Sequence, residues 1–253
     1  MGTLKGKNAF VTGTSQGIGA AIAETLIKSG CNVCLHYFNS IEEPQKLQRM
    51  AEANQQKAIC VHGDLTKESE AAACVKMGVD ALGTFDVLIN NAGSLVKRST
   101  IEDITLDYWK TVIDLNLTTM MLVTKELLPH LNQHDGASIV NVSSLAGRMG
   151  GHAGSLVYSS CKGAVLTWTR SLSKELGARG IRVNAVAPGF IDGTRFHNTH
   201  TTKESALKTI ASIPLGRAGN AFDVARAVAF LASEYDGFIT GETIDINGGV
   251  YSA

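Results

Sequence analysis

A glycine-rich turn sits between a short apolar run and the start of a helical pattern, and no other stretch constrains the fold as strongly. Asn8-Ala9-Phe10-Val11-Thr12 is apolar and followed by glycine, as expected of a parallel strand buried on both faces. Thr12-Gly13-Thr14-Ser15-Gln16-Gly17-Ile18-Gly19 comes next, and Ile18, Ile22 and Leu26 then recur at helical spacing until Gly30 stops the helix. Glycines let a backbone approach a ligand, while the free N–H groups and dipole of a helix N-terminus attract an anion. The junction therefore predicts a phosphate-binding element built from Gly13, Ser15, Gln16, Gly17, Ile18 and Gly19. Three glycines in a turn carry little weight alone; between strand and helix they carry much more.

Alternation continues along the chain. Strand-like runs occur at 33–35, 58–61, 87–89, 139–140, 181–186 and 243–246, with helical patterns near 42–55, 66–82, 105–130, 155–178 and 221–233. This order predicts an α/β fold, a single-domain doubly wound parallel sheet of about seven strands with helices on both faces. No linker or repeat interrupts it, so one domain over 1–253 is expected. The least patterned segment, about 189–213, is an expected substrate lid.

Composition removes several function classes. With 23 basic and 23 acidic residues the net charge is zero, which offers no overall field for nucleic acid or an anionic membrane. No apolar run approaches the ~20 residues of a membrane span. The N-terminal residues Met1 to Lys7 show neither a signal-peptide pattern nor a myristoylation pattern. Five cysteines, an odd number, read as buried thiols in a reducing, cytoplasmic compartment. Cys31 and Cys34 have redox-pair spacing, but residues i and i+3 of a strand face opposite sides, so no pair is expected.

In open α/β sheets, ligands bind beyond the carboxyl ends of the strands. The polar residues there are Asp64 with Leu65, Asn90-Asn91-Ala92-Gly93, Ser144, and Pro188-Gly189-Phe190-Ile191. The Asp64 carboxylate could accept a bond from an adenine amino group. Asn116 falls within an apolar helical stripe of Trp109, Val112, Ile113, Met120, Val123 and Leu127. A buried asparagine needs partners, which suits a backbone-holding bond, a water relay, or both. After the Ser144 loop, Tyr158 and Lys162 lie at i and i+4 on one helix face. An ammonium one turn away is expected to favour the phenolate and lower the phenol below its usual ~10. Standing alone, the pair would more often mean a tyrosine and a lysine on a solvated helix.

Taken in order, Thr12-Gly-x-x-x-Gly-Ile-Gly19, Asn90-Asn-Ala-Gly93, Asn116, Ser144, Tyr158-x-x-x-Lys162 and Pro188-Gly189 resemble the short-chain dehydrogenase/reductase family, over nearly the whole chain. The ending Ile239 to Gly249 is similar to that family's last strand. The resemblance implies a Rossmann-type fold and hydride transfer between nicotinamide and a carbonyl or carbinol carbon. It implies Tyr158 as general acid/base and Ser144 as hydrogen-bond partner of the substrate oxygen. Lys162 would tune the phenol and hold the nicotinamide ribose, and Asn116 would support a water chain. Asn91, Ala92, Gly93, Pro188, Gly189, Ile191 and Thr194 would contact cofactor. A homotetramer is implied, with Met120, Met121 and Trp168 as positions that could face a partner.

Two departures stand out. The gap from Ser144 to Tyr158 is one residue longer than the family's usual spacing, and Gly193 displaces the threonine expected after Pro188-Gly189, which weakens the assignment of Thr194. The position of the acid that binds the NAD ribose carries Tyr37, with His36, Asn39 and Ser40 nearby, so NADP(H) is expected ahead of NAD(H). Arg98, Arg148, Arg195 and His197, with His200, are candidates to approach an anionic small-molecule substrate. His197 and His200 lack the further ligands a zinc site needs, so no metal is expected. The segment Asn91 to Arg98 and the chain end resemble reductases of alginate-derived keto-uronates. The general layout is equally similar to 3-oxoacyl-carrier-protein reductases. A dinucleotide-binding sensor without catalysis is the alternative of another class, opposed by the complete reactive quartet.

Overall fold

All seven apolar runs pair in parallel in one sheet, in the order β3-β2-β1-β4-β5-β6-β7. The structure, a computed structural model, describes residues 4–132, 136–193, 202–233 and 237–252. The strands are β1 (Asn8–Val11), β2 (Asn32–Tyr37), β3 (Ala58–His62), β4 (Val87–Asn90), β5 (Ala137–Val142), β6 (Ile181–Pro188) and β7 (Thr243–Ile246). The helices are α1 (Gly17–Lys28), α2 (Glu42–Ala53), α3 (Glu68–Leu82), α4 (Leu106–Ile113), α5 (Thr119–Leu127), the short α6 (Ala146–Met149), α7 (Leu156–Leu176), α8 (Lys203–Ala211) and α9 (Ala221–Ala232).

Alternate strand residues serve two separate cores. Ala9, Val11, Val33, Leu35 and Val140 pack with α1, α2 and α9, whereas Phe10, Cys34, Leu88, Ile139 and Val183 pack with α3, α5 and the end of α7. Period-two side-chain direction in a strand makes this division automatic. Cys31 and Cys34 accordingly enter opposite cores, and both are free thiols.

Five strands, β2 to β6, run further than their apolar patterns, and on β4 and β5 the added polar residues are paired inside the core. On β5, Ser138 Oγ donates to Leu231 O (2.9 Å), and Asn141 links Asn90 on β4 to Thr169 on α7 (2.9 and 3.0 Å). Buried amides and hydroxyls are tolerated when satisfied, and hydropathy alone does not show that they will be.

The helix expected over 105–130 is interrupted. A π-helical turn, Asp114–Thr118, separates α4 from α5. Asn116 Nδ2 donates to Val112 O (2.8 Å), so a side chain takes a carbonyl that the helical ladder would use. The turn shifts the phase of the apolar stripe. Tyr108 is buried, and Trp109, expected inside, is 39% exposed. Met120 lies in the interior, which removes it from the residues available to a partner. The segment expected to be least patterned contains α8, started by Thr202, whose hydroxyl accepts from Ser205 N (3.2 Å).

Candidate active site

The strand order reverses at β1, which pairs with both β2 and β4. Ligand crevices in doubly wound sheets open at such a point. Here Thr12 Oγ1 accepts from Asn91 N (2.9 Å) and Ala92 N (3.0 Å), tying the ends of β1 and β4 together. The Asn91 amide donates to the carbonyls of Thr12 (2.9 Å) and Gly13 (3.1 Å). Asn91, expected among the cofactor contacts, thus spends its side-chain donor on shaping the turn. Gln16, the N-cap of α1, makes no side-chain capping bond, which leaves the first-turn N–H groups to an anion. Ser15 Oγ donates to Ser40 O (3.0 Å) and closes the glycine turn against the loop after β2.

The catalytic candidates converge at the ends of β4 and β5. Lys162 is buried on α7, and its Nζ donates to Val142 O at 2.9 Å. Nζ lies 5.6 Å from the centre of the Tyr158 ring. A Cβ on Gly93 would stand 2.6 Å from Asn116 Oδ1 and 3.2 Å from Lys162 Nζ, so only a glycine leaves these groups their places. Asn116 Nδ2 donates to Ser94 O and Val112 O, both at 2.8 Å, while its buried Oδ1 has no protein partner. The amide donor thus holds backbone, and the acceptor has no protein partner among the described residues.

Ser144 is placed by a loop locked onto α7. Ser143 Oγ donates to Lys162 O (2.7 Å), and a Cβ on Gly147 would approach the Lys162 carbonyl carbon to 2.5 Å. Ser144 Oγ accepts from Ala146 N (3.1 Å) and hydrogen-bonds the Tyr158 hydroxyl.

Electrostatics in the protein alone differ from the i,i+4 expectation. Burial pushes the Tyr158 phenol up to about 12, and the bond to Ser144 only partly offsets it. Burial also lowers Lys162 to about 8. Desolvation disfavours each charged form and is the largest cause of both shifts. Tyr158 therefore holds its proton at neutral pH, as a proton donor must.

Lys162 carries a stability cost. Its pKa is depressed from 10.5 to about 8, so charging it in the fold is penalised below about pH 8, and the penalty vanishes above its ordinary value. At about 1.4 kcal/mol per unit this amounts to about 3 kcal/mol, offset in a Lys162→Met variant by about 1–3 kcal/mol for the orphaned Val142 carbonyl. Lys162→Met is thus expected to melt within a few degrees of wild type or above it at pH 7, with turnover down by at least ~10²-fold. Calorimetry at pH 7 and pH 10 checks this; a melting point more than ~10 °C lower at pH 7 would show that the lysine is net stabilising.

Beyond β3, where adenine contacts are expected, Asp64 accepts from Thr66 N (3.0 Å) and Thr66 Oγ1 (2.7 Å), and Leu65 is buried beside it. Tyr37 packs against His62 with ring centres 5.2 Å apart, and Asn39 is exposed. Ser40 Oγ donates to the Glu42 carboxylate, so its hydroxyl is already engaged. His36, read from sequence as a phosphate neighbour, is instead buried beneath the glycine turn. Pro188 O accepts from Leu145 N (2.8 Å), Gly189 lies against Asn247, and Ile191 is buried with a bridge to Gly219.

The basic residues assigned to substrate separate into groups. Arg148 makes a two-point pair with Asp245 (both contacts 3.2 Å) and lies 5.7 Å from the Tyr251 ring centre. It joins the catalytic loop to β7 rather than presenting a free cation, a correction to its expected role. Arg98 is exposed, and its guanidinium donates to Ala153 O (3.1 Å) across the mouth of the same loop. Thr194, Arg195, His197 and His200 lie outside the described residues. The bonds made by the Thr12 hydroxyl, the Glu42 carboxylate and the His36 ring are not predicted from sequence. For Thr12 the available signal was a polar residue closing an apolar run.

The family profile described as Enoyl-(Acyl carrier protein) reductase matches residues 13–251. An uncharacterized oxidoreductase of Methylorubrum extorquens is 38% identical over 254 residues, covering 99% of this chain and 100% of that protein. The 3-oxoacyl-(acyl-carrier-protein) reductase FabG of Staphylococcus aureus is 36% identical over 245 residues, 97% of this chain and 98% of that one. Among solved structures, the NADH-dependent reductase A1-R' responsible for alginate metabolism superposes with a TM-score of 0.89 at 33% identity, covering 99% of both chains. A blue fluorescent protein from a metagenomic library, in complex with NADPH, gives 0.91 at 31% identity over 99% of this chain and 100% of that one. The chain belongs to the short-chain dehydrogenase/reductase family of oxidoreductases.

Proposed function

We propose that this protein reduces a small-molecule ketone or aldehyde to an alcohol, and runs the reverse reaction, with Tyr158 as the proton donor and acceptor. The observation that carries this reading is the convergence of Ser144, Tyr158, Lys162 and Asn116 from a loop, one helix and a π-helical turn. The residues fit a nicotinamide dinucleotide: an uncapped helix N-terminus behind the glycine turn for phosphate, and an unpartnered buried Asn116 Oδ1 for ordered water. When bound, the nicotinamide supplies or accepts the hydride. Gly13 to Gly19 would hold the phosphates, Asp64 and Leu65 the adenine, and Lys162 the nicotinamide ribose. Ser144 holds the carbonyl oxygen beside the phenol, Tyr158 gives it a proton, and Asn116 orients the water that resupplies Tyr158.

NADP(H) is the favoured cofactor, supported by uncharged Tyr37 at the position of the acid and by the exposed Asn39 amide. The Glu42 carboxylate on Ser40 works against a 2′-phosphate, so NAD(H) is the second reading. The favoured substrate class is a keto-uronate or related sugar-derived ketone or aldehyde, supported by the likeness to the alginate-metabolism reductase. Reduction of a 3-oxoacyl thioester is the alternative, supported by the likeness to FabG. The segment near 189–213 would act as the substrate lid.

Initial rates with NADPH and NADH at equal concentration, over keto-uronates, acetoacetyl thioesters and simple sugar ketones, test the reading. The expected result is turnover greatest on a keto-uronate with NADPH. Preference for the thioester would transfer the assignment, a clear NADH preference would reverse the cofactor reading, and dinucleotide binding without turnover on any carbonyl would favour a sensor.

A further inference from the structure

The side chain of His36 contacts neither Tyr158 nor Ser144 in any hydrogen bond of the structure, yet its backbone and ring together meet both halves of the cofactor crevice. Its ring Nδ1 accepts from Gly13 N at 3.1 Å, and its Nε2 lies 3.0 Å from Gly63 O. Its carbonyl accepts from Thr14 N (2.8 Å) and Thr14 Oγ1 (3.0 Å). Gly13 opens the phosphate turn with φ of +73°, and Gly63 immediately precedes Asp64 and Leu65 on the adenine side. A peptide N–H can only donate and a carbonyl can only accept. The ring is therefore neutral, with its proton on Nε2.

We propose that His36 is a positioning residue for the dinucleotide: its neutral Nε2–H tautomer clamps the phosphate-binding turn at Gly13 to the adenine-side turn at Gly63 and sets the distance between the two subsites. The inference rests on the dinucleotide-binding reading above. A protonated ring, or the other tautomer, would direct an N–H at the Gly13 N–H and break the clamp. The surroundings keep the ring neutral. It is 3% exposed, and burial lowers its pKa to about 4 despite the bond to Gly63, with His62 opposing protonation and Asp64 favouring it. Glu70, on α3, is turned to the backbone of Asp64, whose N–H it accepts at 2.7 Å.

Two variants separate positioning from general support. His36→Leu removes both ring bonds and leaves Gly13 N–H without its partner, whereas His36→Gln offers an acceptor and a donor on one planar group that does not titrate near neutrality. Dinucleotide Kd, read by nicotinamide fluorescence, is expected to rise at least ~10-fold in His36→Leu and to return to within about 3-fold of wild type in His36→Gln. Turnover at saturating cofactor is expected to stay within about 3-fold of wild type in His36→Leu, because the quartet is untouched. Nitrogen-15 spectra of the wild-type imidazole should show the Nε2–H tautomer throughout pH 6 to 8. An Nδ1–H tautomer, titration near 6.5, or wild-type Kd in a folded His36→Leu each overturns the proposal. If His36→Leu does not fold, the spectra and the His36→Gln Kd still decide it. Failure of wild type to bind either dinucleotide would instead reject the underlying function.

Discussion

Tyr158→Phe is expected to cut turnover by about 10²- to 10⁴-fold, the range that a positioned general acid contributes, while dinucleotide affinity stays within about 3-fold of wild type. The variant removes one oxygen from a buried ring and leaves the rest of the constellation standing. Ser144 Oγ still accepts from Ala146 N, and Lys162 Nζ still donates to Val142 O. Because burial holds the phenol up to about 12, the hydroxyl is protonated through the neutral range and suits the reducing direction. The opposite direction needs phenolate, so alcohol oxidation by wild type is expected to accelerate as pH rises through the alkaline range. That acceleration should be absent in Tyr158→Phe. Paired rate and binding measurements check both statements, and turnover near wild type with a good carbonyl substrate would remove Tyr158 from the chemistry.

Gly19→Ala should be the most damaging of the glycine substitutions, against what helix propensity suggests. In an exposed helix interior, alanine is better than glycine by about 1 kcal/mol. Here a Cβ would stand 2.1 Å from Gly13 O and 2.4 Å from Asn91 Nδ2. Neither atom can easily retreat, since the Asn91 amide donates to that same Gly13 carbonyl and Gly13 N–H is held by His36. Overpacking of this kind costs about 1–3 kcal/mol or more, which corresponds to a melting point lower by several degrees at this chain length. The displaced turn should weaken dinucleotide binding by at least ~10-fold. Gly177→Ala is the control: a Cβ there meets nothing within 4 Å, and φ is already helical at −57°. It is expected to be neutral or stabilising by up to about 1 kcal/mol. Equal melting points for the two variants would mean that the turn relaxes freely.

Gly19 shows how a correct motif can carry an incomplete reason. From sequence, the glycines of the turn were read as room for a phosphate. The structure uses Gly19 for close packing of α1 onto the turn, and Gly13 for its left-handed backbone. Asn91 is similar: expected to contact cofactor, it donates its amide to the carbonyls of Thr12 and Gly13 and shapes the glycine turn. The quartet was legible because its members are marked locally. Tyr158 and Lys162 share a helix face by their spacing, and Ser144 closes an apolar run. The break in the helix over 105–130 left no such mark: the Asn116 amide takes the Val112 carbonyl while also donating to Ser94 O, a contact from 22 positions away.

What the sequence determines by itself is the succession of elements and the identity of the candidate reactive groups. Hydrophobic period, glycine breaks and i,i+4 spacing are properties of neighbouring residues, and they are enough to specify a parallel sheet wrapped by helices. What only the tertiary structure decided are the charges and the partners. Arg148 meets Asp245 from 97 positions away, and His36 meets Gly63 from 27. Tyr158 is raised rather than lowered because desolvation depends on everything packed around a group, not on the lysine one turn along its own helix.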